Sequence, residues 1–209
     1  MEKMKMGKIM IINGSPRAPK SNSKRYAEIF AGYCGSTPAE YFNLTRRNHA
    51  ELCGRMAEFT DIVLVFPLYA DSLPVGLLDF LKTLESMQPV AKPVISVMIN
   101  CGFFEYQQND LAVEMIRLFC RKNRFRFGSV LKIGSGEAIL GIPGFRYLVK
   151  RKIHRFAASV IAGSYGEFHV TMPLPKRLFV MASTIYWSNY GKKYGVTKSQ
   201  MKTMDIEGA

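Results

Sequence analysis

The second half of this chain is nearly devoid of acid. Residues 117–209 carry only four of the 16 Asp and Glu but 17 of the 29 Lys and Arg, so the formal charge of +13 lies entirely there, while residues 1–116 are balanced. Cysteine is scarce too: Cys34, Cys53, Cys101 and Cys120 are widely spaced, no CxxC occurs, and His49, His154 and His169 form no ligand pattern with them. This spacing argues against a disulfide framework, an iron–sulfur cluster and a structural metal. No apolar run is long enough to span a bilayer, and the opening Met and Lys residues run directly into an apolar segment without a signal-peptide pattern. A cytoplasmic protein with no stable membrane insertion is therefore expected, and the glycosylation match Asn43-Leu44-Thr45 is accidental. Two nucleotide signatures are also missing, the glycine-rich dinucleotide fingerprint and the GxxxxGK[ST] loop.

What is present begins at Lys8–Ile12, a short apolar run that ends abruptly in Asn13-Gly14-Ser15-Pro16-Arg17, followed by Ser21-Asn22-Ser23 and a helical pattern. A strand-to-helix turn aims free backbone N–H groups and the positive end of a helix dipole at whatever lies above it, which suits a phosphate. Ser15, Ser21 and Ser23 add hydroxyls, Asn22 an amide, and Arg17 a charged fork. The competing reading is an ordinary loop whose Ser and Asn cap the helix. With both longer fingerprints absent, a single phosphate fits this loop better than a dinucleotide or triphosphate.

Further along, strand and helix patterns alternate. Glu40–Leu44, Ile62–Phe66, Val94–Ile99 and Val130–Ile133 read as strands, and Lys24–Tyr33, Ala50–Phe59, Gly76–Leu84 and Leu111–Lys122 as helices. This is an α/β pattern: one domain with a doubly wound, five-stranded parallel sheet and helices on both faces. Ligands of such sheets bind at the carboxyl ends of the strands. The loops there are Pro67-Leu68-Tyr69-Ala70-Asp71-Ser72-Leu73-Pro74 after strand three and Asn100-Cys101-Gly102-Phe103-Phe104-Glu105-Tyr106 after strand four. Their aromatic rings, amides and exposed backbone suit a flat heteroaromatic ring held by stacking and edge hydrogen bonds. Together with the phosphate loop they describe a site for flavin mononucleotide. A helix follows strand five, with Phe145, Leu148, Val149, Ile153, Phe156 and Val160 on one stripe and Arg146, Lys150, Arg151 and Arg155 off it. Those bases are either a solvated outer face or an attraction for a phosphorylated cofactor, nucleic acid or an anionic membrane, and no nucleic-acid-binding motif accompanies them.

The segments INGSPR with SNS, DIVLVFPLYADSLP, NCGFFEYQQN and GSGEAI, in this order at successive strand ends, resemble the flavodoxin-like NAD(P)H-dependent FMN reductases and their quinone-reductase relatives. The resemblance implies strand order 2-1-3-4-5, an FMN-binding domain over residues 1–165, and a C-terminal helical extension over residues 166–209 packed on the same domain or on a partner. It implies that Ser15, Arg17, Ser21, Asn22 and Ser23 hold the phosphate and that Pro67, Leu68, Tyr69 and Ala70 line the ring and ribityl chain. Asn100, Cys101, Gly102 and Phe103 would close the other edge, and Asp71, Tyr106, Gly136 and Glu137 match the pattern without an assigned role. The implied activity passes hydride from NADPH or NADH to bound FMN and on to a small-molecule acceptor such as a quinone, flavin or nitroaromatic, with no catalytic side chain beyond the flavin. A homodimer is implied as well, with the aromatic tail at Leu178-Phe179-Val180-Met181 and Tyr186-Trp187 needing cover. The alternative is a flavodoxin-type electron carrier, though such carriers are strongly acidic.

Overall fold

The computed structural model describes residues 7–203; the opening Met and Lys residues and the last six positions of the expected extension lie outside the described residues. The five expected strands form as β1 (Ile9–Asn13), β2 (Ala39–Asn43), β3 (Asp61–Pro67), β4 (Val94–Asn100) and β5 (Phe127–Ile133). They are connected by α1 (Asn22–Gly32), α2 (His49–Arg55), α3 (Val75–Met87) and α4 (Asp110–Lys122). After β5 come α5 (Pro143–Ile161) and β6 (Glu167–Val170). All strand pairs are parallel, and the order is β2-β1-β3-β4-β5-β6. The first five follow the doubly wound order of flavodoxin.

The sheet thus has six strands, where five were expected. The extra one, Glu167-Phe168-His169-Val170, is only four residues long and buries Val170 alone, because it lies at the open edge beside β5. It therefore shows neither a continuous apolar run nor a clean alternation. Its attachment is partly ionic: Lys132 of β5, almost fully buried, pairs with Glu167 and, at 2.7 Å, with Asp110 in the first turn of α4.

Both faces of the sheet are covered, which explains why β3 reads Ile-Val-Leu-Val-Phe without alternation. Ile62, Leu64 and Phe66 join Met10, Ile12, Val97 and Ile99 in one core with Leu52 and Met56 of α2, Leu77 and Phe80 of α3, and Val113 and Ile116 of α4. On the opposite face the buried residues come from α1 (Tyr26, Ala27, Phe30) and from α5 (Val149, Ile153, Phe156, Val160), with Phe30 and Phe156 rings 5.6 Å apart. In α5 the bases Arg146, Lys150, Arg151 and Arg155 are exposed.

Residues 173–203 belong to a separate compact unit, consisting of α6 (Lys176–Lys192) and a short 3-10 turn at Gln200–Lys202.

Between β4 and β5 the register shifts, so that Ile95 pairs with Phe127 but Val97 with Val130. The extra residue on β5 makes a bulge in which the Ser129 N–H donates to Ser96 Oγ at 3.0 Å, and Gly128 passes so close that a Cβ there would collide with Ser96 Oγ and lie 2.9 Å from Val94 Cγ1. Gly128→Ala is accordingly expected to cost about 1–3 kcal/mol of unfolding free energy. Denaturant titration of Gly128→Ala with and without Ser96→Ala should give a double variant less destabilised than the sum of the singles.

Candidate functional site

Because every strand is parallel, all carboxyl ends reach one edge, and the register aligns Asn13 with Asn43 and Val65, Pro67 with Asn100, and Asn100 with Ile133. Three of these ends are asparagines, and each side chain fastens a neighbouring element. Asn13 is fully buried; its Nδ2 donates to Tyr41 Oη at 2.9 Å and to Asn43 Oδ1 at 3.3 Å, while its Oδ1 accepts the Ser15 N–H at 3.0 Å. Asn100 Nδ2 donates to Ser23 Oγ of α1 at 3.0 Å and to the Phe66 carbonyl at 3.1 Å, and its backbone carbonyl accepts the Leu68 N–H at 2.7 Å. The loop after β5 is drawn in by the Gly136 N–H, bonded to the Cys101 carbonyl at 2.7 Å, and by the buried Tyr26 hydroxyl, which donates to the Gly136 carbonyl at 2.9 Å. Burial pushes the Tyr26 pKa well up, so it stays a donor.

These ties converge four loops on a cleft of about 410 Å³ lined by Pro16, Arg17, Pro67, Leu68, Tyr69, Asn100, Cys101, Gly102 and Glu137. A second cleft, also about 410 Å³, shares Arg17 and Glu137 and opens onto Ser21, Asn22, Lys20, Lys24 and Arg25. Ser15 and Tyr69 also border a third, of about 490 Å³, that reaches Val75 and Gly76 at the start of α3.

The residues expected to hold a phosphate are distributed around these clefts. Ser21 caps α1, its hydroxyl accepting the Lys24 N–H at 3.1 Å, and Ser15 is buried with its hydroxyl accepting the Arg17 N–H at 3.3 Å. Ser23 is buried and committed to Asn100. Arg17 Nη2 and Asn22 Nδ2 both reach Glu137, at 2.8 Å and 3.2 Å to its two carboxylate oxygens. One donor from the loop before α1 and one from its first residue thus converge on one anion, next to the helix end whose first-turn N–H groups lack intrahelical acceptors.

The loop after β3 turns sharply at Tyr69-Ala70-Asp71-Ser72. Tyr69 and Ser72 exchange both backbone hydrogen bonds at 3.0 Å, and Ala70 and Asp71 have φ of 48° and 55°. Two left-handed residues make a type I′ turn, built here without glycine. The turn leaves Tyr69 59% exposed and takes up its N–H, whereas those of Ala70 and Asp71 make no backbone hydrogen bond among the described residues. Phe103 is 52% exposed. Tyr106 is separated from the cleft, stacking on His169 of β6 with ring centroids 4.2 Å apart. Cys101 is a packed thiol whose pKa burial pushes up, with Asn109 Nδ2 donating to it at 3.3 Å, so at neutral pH it is not a nucleophile.

Asn13, Tyr26 and Glu137 were given no role from the sequence, although signals for two of them exist. Asn closes β1, β2 and β4, and Glu137 is the one acid between Arg117 and Gly166 amid eleven bases. Tyr26 reads only as a core position of α1.

No family model and no curated protein matches the chain. Solved structures do. The rubredoxin oxygen:oxidoreductase of Desulfovibrio gigas superposes with a TM-score of 0.58 at 9% identity, over 75% of this chain and 35% of that one, so the chain spans about a third of its length. The NADPH-quinone reductase of P. pentosaceus gives 0.57 at 16% identity, covering 72% and 97% of the two chains. The FMN-dependent NADH-azoreductase of Bacillus anthracis, in complex with FMN, gives 0.56 at 14%, covering 73% and 98%. At these identities the likeness is one of fold.

The turn at Ala70 supplies a direct check of the site's backbone. Ala70→Gly removes the left-handed penalty of a Cβ residue and should raise unfolding free energy by about 1 kcal/mol, seen as a higher denaturant midpoint at unchanged slope. A lower midpoint would contradict the turn.

Proposed function

We propose that this edge binds FMN and that the protein is an NAD(P)H-dependent oxidoreductase acting on a small-molecule acceptor such as a quinone, flavin or nitroaromatic. The observation that carries the reading is the convergence of Arg17 and Asn22 on the Glu137 carboxylate at the start of α1. A phosphate offers the same acceptor chemistry with more charge and more oxygens. The donor set fits that group: a guanidinium, a side-chain amide, the Ser15 and Ser21 hydroxyls, and the first-turn N–H groups from Asn22 and Ser23. Pro67, Leu68, Tyr69 and Ala70 on one side and Asn100, Cys101, Gly102 and Phe103 on the other would bracket the ring. The adjoining cleft and the exposed Tyr69 and Phe103 give it apolar walls.

When bound, FMN supplies the chemistry by accepting hydride and releasing electrons at its ring. The protein's task is orientation and electrostatics. Backbone N–H groups of Ala70, Asp71, Gly102 and Phe103 would face the pyrimidine edge of the ring, where donors favour negative charge. Asn100 keeps the two loops at fixed separation through Phe66 and Leu68. Exposed Tyr69 offers a surface on which a nicotinamide or an acceptor can lie. A NADPH-quinone reductase and an FMN-bound azoreductase among proteins of this fold support the reading. The second reading, an electron carrier without nicotinamide chemistry, is disfavoured by the charge of +13.

Quenching of flavin fluorescence on titration with the protein measures FMN affinity. Arg17→Ala should weaken it about tenfold to a hundredfold, the worth of a charge-assisted hydrogen bond. Glu137→Gln should strengthen it by up to about fivefold, because the phosphate no longer displaces an ion pair or meets a like charge. Unchanged binding in Arg17→Ala would remove the loop assignment. Adding NADPH to the FMN-loaded protein under anaerobic conditions should bleach the yellow absorbance, and a colour that persists would favour the electron carrier.

A further inference from the structure

The unit formed by residues 173–203 has composition and geometry that the flavin site does not use. From Phe168 to Thr203 there is no Asp or Glu, while residues 173–203 contain Lys176, Arg177, Lys192, Lys193, Lys198 and Lys202. Within this unit α6 buries none of its residues. Its apolar positions nearly encircle it. Leu178, Met181 and Ile185 follow one helical row, and Tyr186, Tyr190 and Trp187 continue the surface round, stacked or edge-on with ring centroids 5.2–6.3 Å apart. Leu178, Met181, Ile185, Tyr186 and Trp187 are each about half exposed. Arg177, Thr184, Ser188 and Gly191, at successive offsets of seven, four and three residues, form a stripe without a large apolar side chain, and Lys176, Ser183, Asn189 and Lys192 lie outside it.

We propose that α6 docks on an anionic lipid surface, lying in the headgroup region rather than crossing the bilayer. No described helix is long and apolar enough to cross a membrane, and α6 carries Ser, Thr and Asn within its length, so the distinction between lying on and spanning is physical. Tyr and Trp suit an interface because the ring is apolar and the edge polar, and Lys stems reach from an apolar surface to charged headgroups. Charge identifies the lipid as anionic. Six bases against two acids, Asp205 and Glu207, leave the unit at a formal charge of +4, which attracts such a surface, and Lys176 and Arg177 stand at the helix N-terminus, where the dipole by itself favours acids. A second copy of the chain is a poorer occupant, since it would bring two units of net positive charge together. Nucleic acid would meet the charge but leave Leu178, Met181 and Ile185 without a role.

Trp187 is the only tryptophan in the chain, so its emission reports on α6 in the full-length protein without a label. Vesicles of phosphatidylcholine with about 30 mol% phosphatidylglycerol should move that emission to shorter wavelength, and brominated lipids should quench it. Pure phosphatidylcholine should do little, and about 0.5 M salt should reverse the shift. The variant Lys192→Gln/Lys193→Gln should partition onto the anionic vesicles on the order of 30-fold more weakly. The proposal is overturned if neither kind of vesicle moves the emission, if neutral vesicles bind equally well, or if an oligonucleotide moves it and vesicles do not. It is equally overturned if the emission is already short-wavelength in lipid-free protein. Light scattering then names the occupant: a doubled mass assigns the second copy, and a single-chain mass assigns the protein's own first unit. FMN binding is read separately through flavin fluorescence, so failure here leaves the flavin reading untouched.

Discussion

Asn100 is where the geometry of the site is decided. Its side-chain amide is shared between α1, through Ser23, and β3, through the Phe66 carbonyl, and its own carbonyl receives the first loop residue after β3. One buried residue thus sets the spacing between a covering helix, the neighbouring strand and the loop that leaves that strand. A buried donor without its acceptors costs about 1–3 kcal/mol, so the arrangement is held by the penalty of breaking it more than by the strength of any single bond. Asn13 plays the same part between β1, β2 and the first loop. With both amides anchored below, the residues above them can be exposed and polar without becoming loose.

The electrostatics divide along the chain. In the first unit the strongest feature of the site is local and paired: Arg17 and Asn22 face Glu137 at the surface, where an exposed ion pair is worth little and yields readily to a better anion. In the second unit six bases outnumber two acids, both of them close to the chain end. The first arrangement suits exchange of one small anion for another, and the second suits a diffuse field of many.

Most of the sheet was legible because a parallel sheet covered on both faces writes its strands as unbroken apolar runs; Ile62–Phe66 is the clearest, and the structure carries it from Asp61 to Pro67. The same logic hid β6, whose edge position leaves Glu167 and His169 exposed and only Val170 buried. For the site, residue types announced themselves but pairings did not. Ser23 reads as a phosphate hydroxyl and is spent on Asn100, while Tyr106 reads as a ring-site aromatic and stacks on His169. Glu137 lies 120 positions from Arg17, and no local pattern relates residues so far apart. The turn at Ala70 and Asp71 was hidden for another reason: left-handed backbone normally advertises itself through Gly or Asn, and here neither is present.

The site draws on loops after β1, β3, β4 and β5, whose members range from Pro16 to Glu137 in sequence. No fragment short of nearly the whole first unit can assemble it, and contacts of such long sequence separation form late and slowly during folding. Affinity for any ligand of this cleft and global stability are therefore thermodynamically linked: whatever fills the cleft holds the entire sheet closed, by an amount that grows with the logarithm of its concentration over its dissociation constant. A chain weakened far from the cleft would lose its ligand as a consequence of opening, and a saturated cell pool of that ligand would act as a folding chaperone for it.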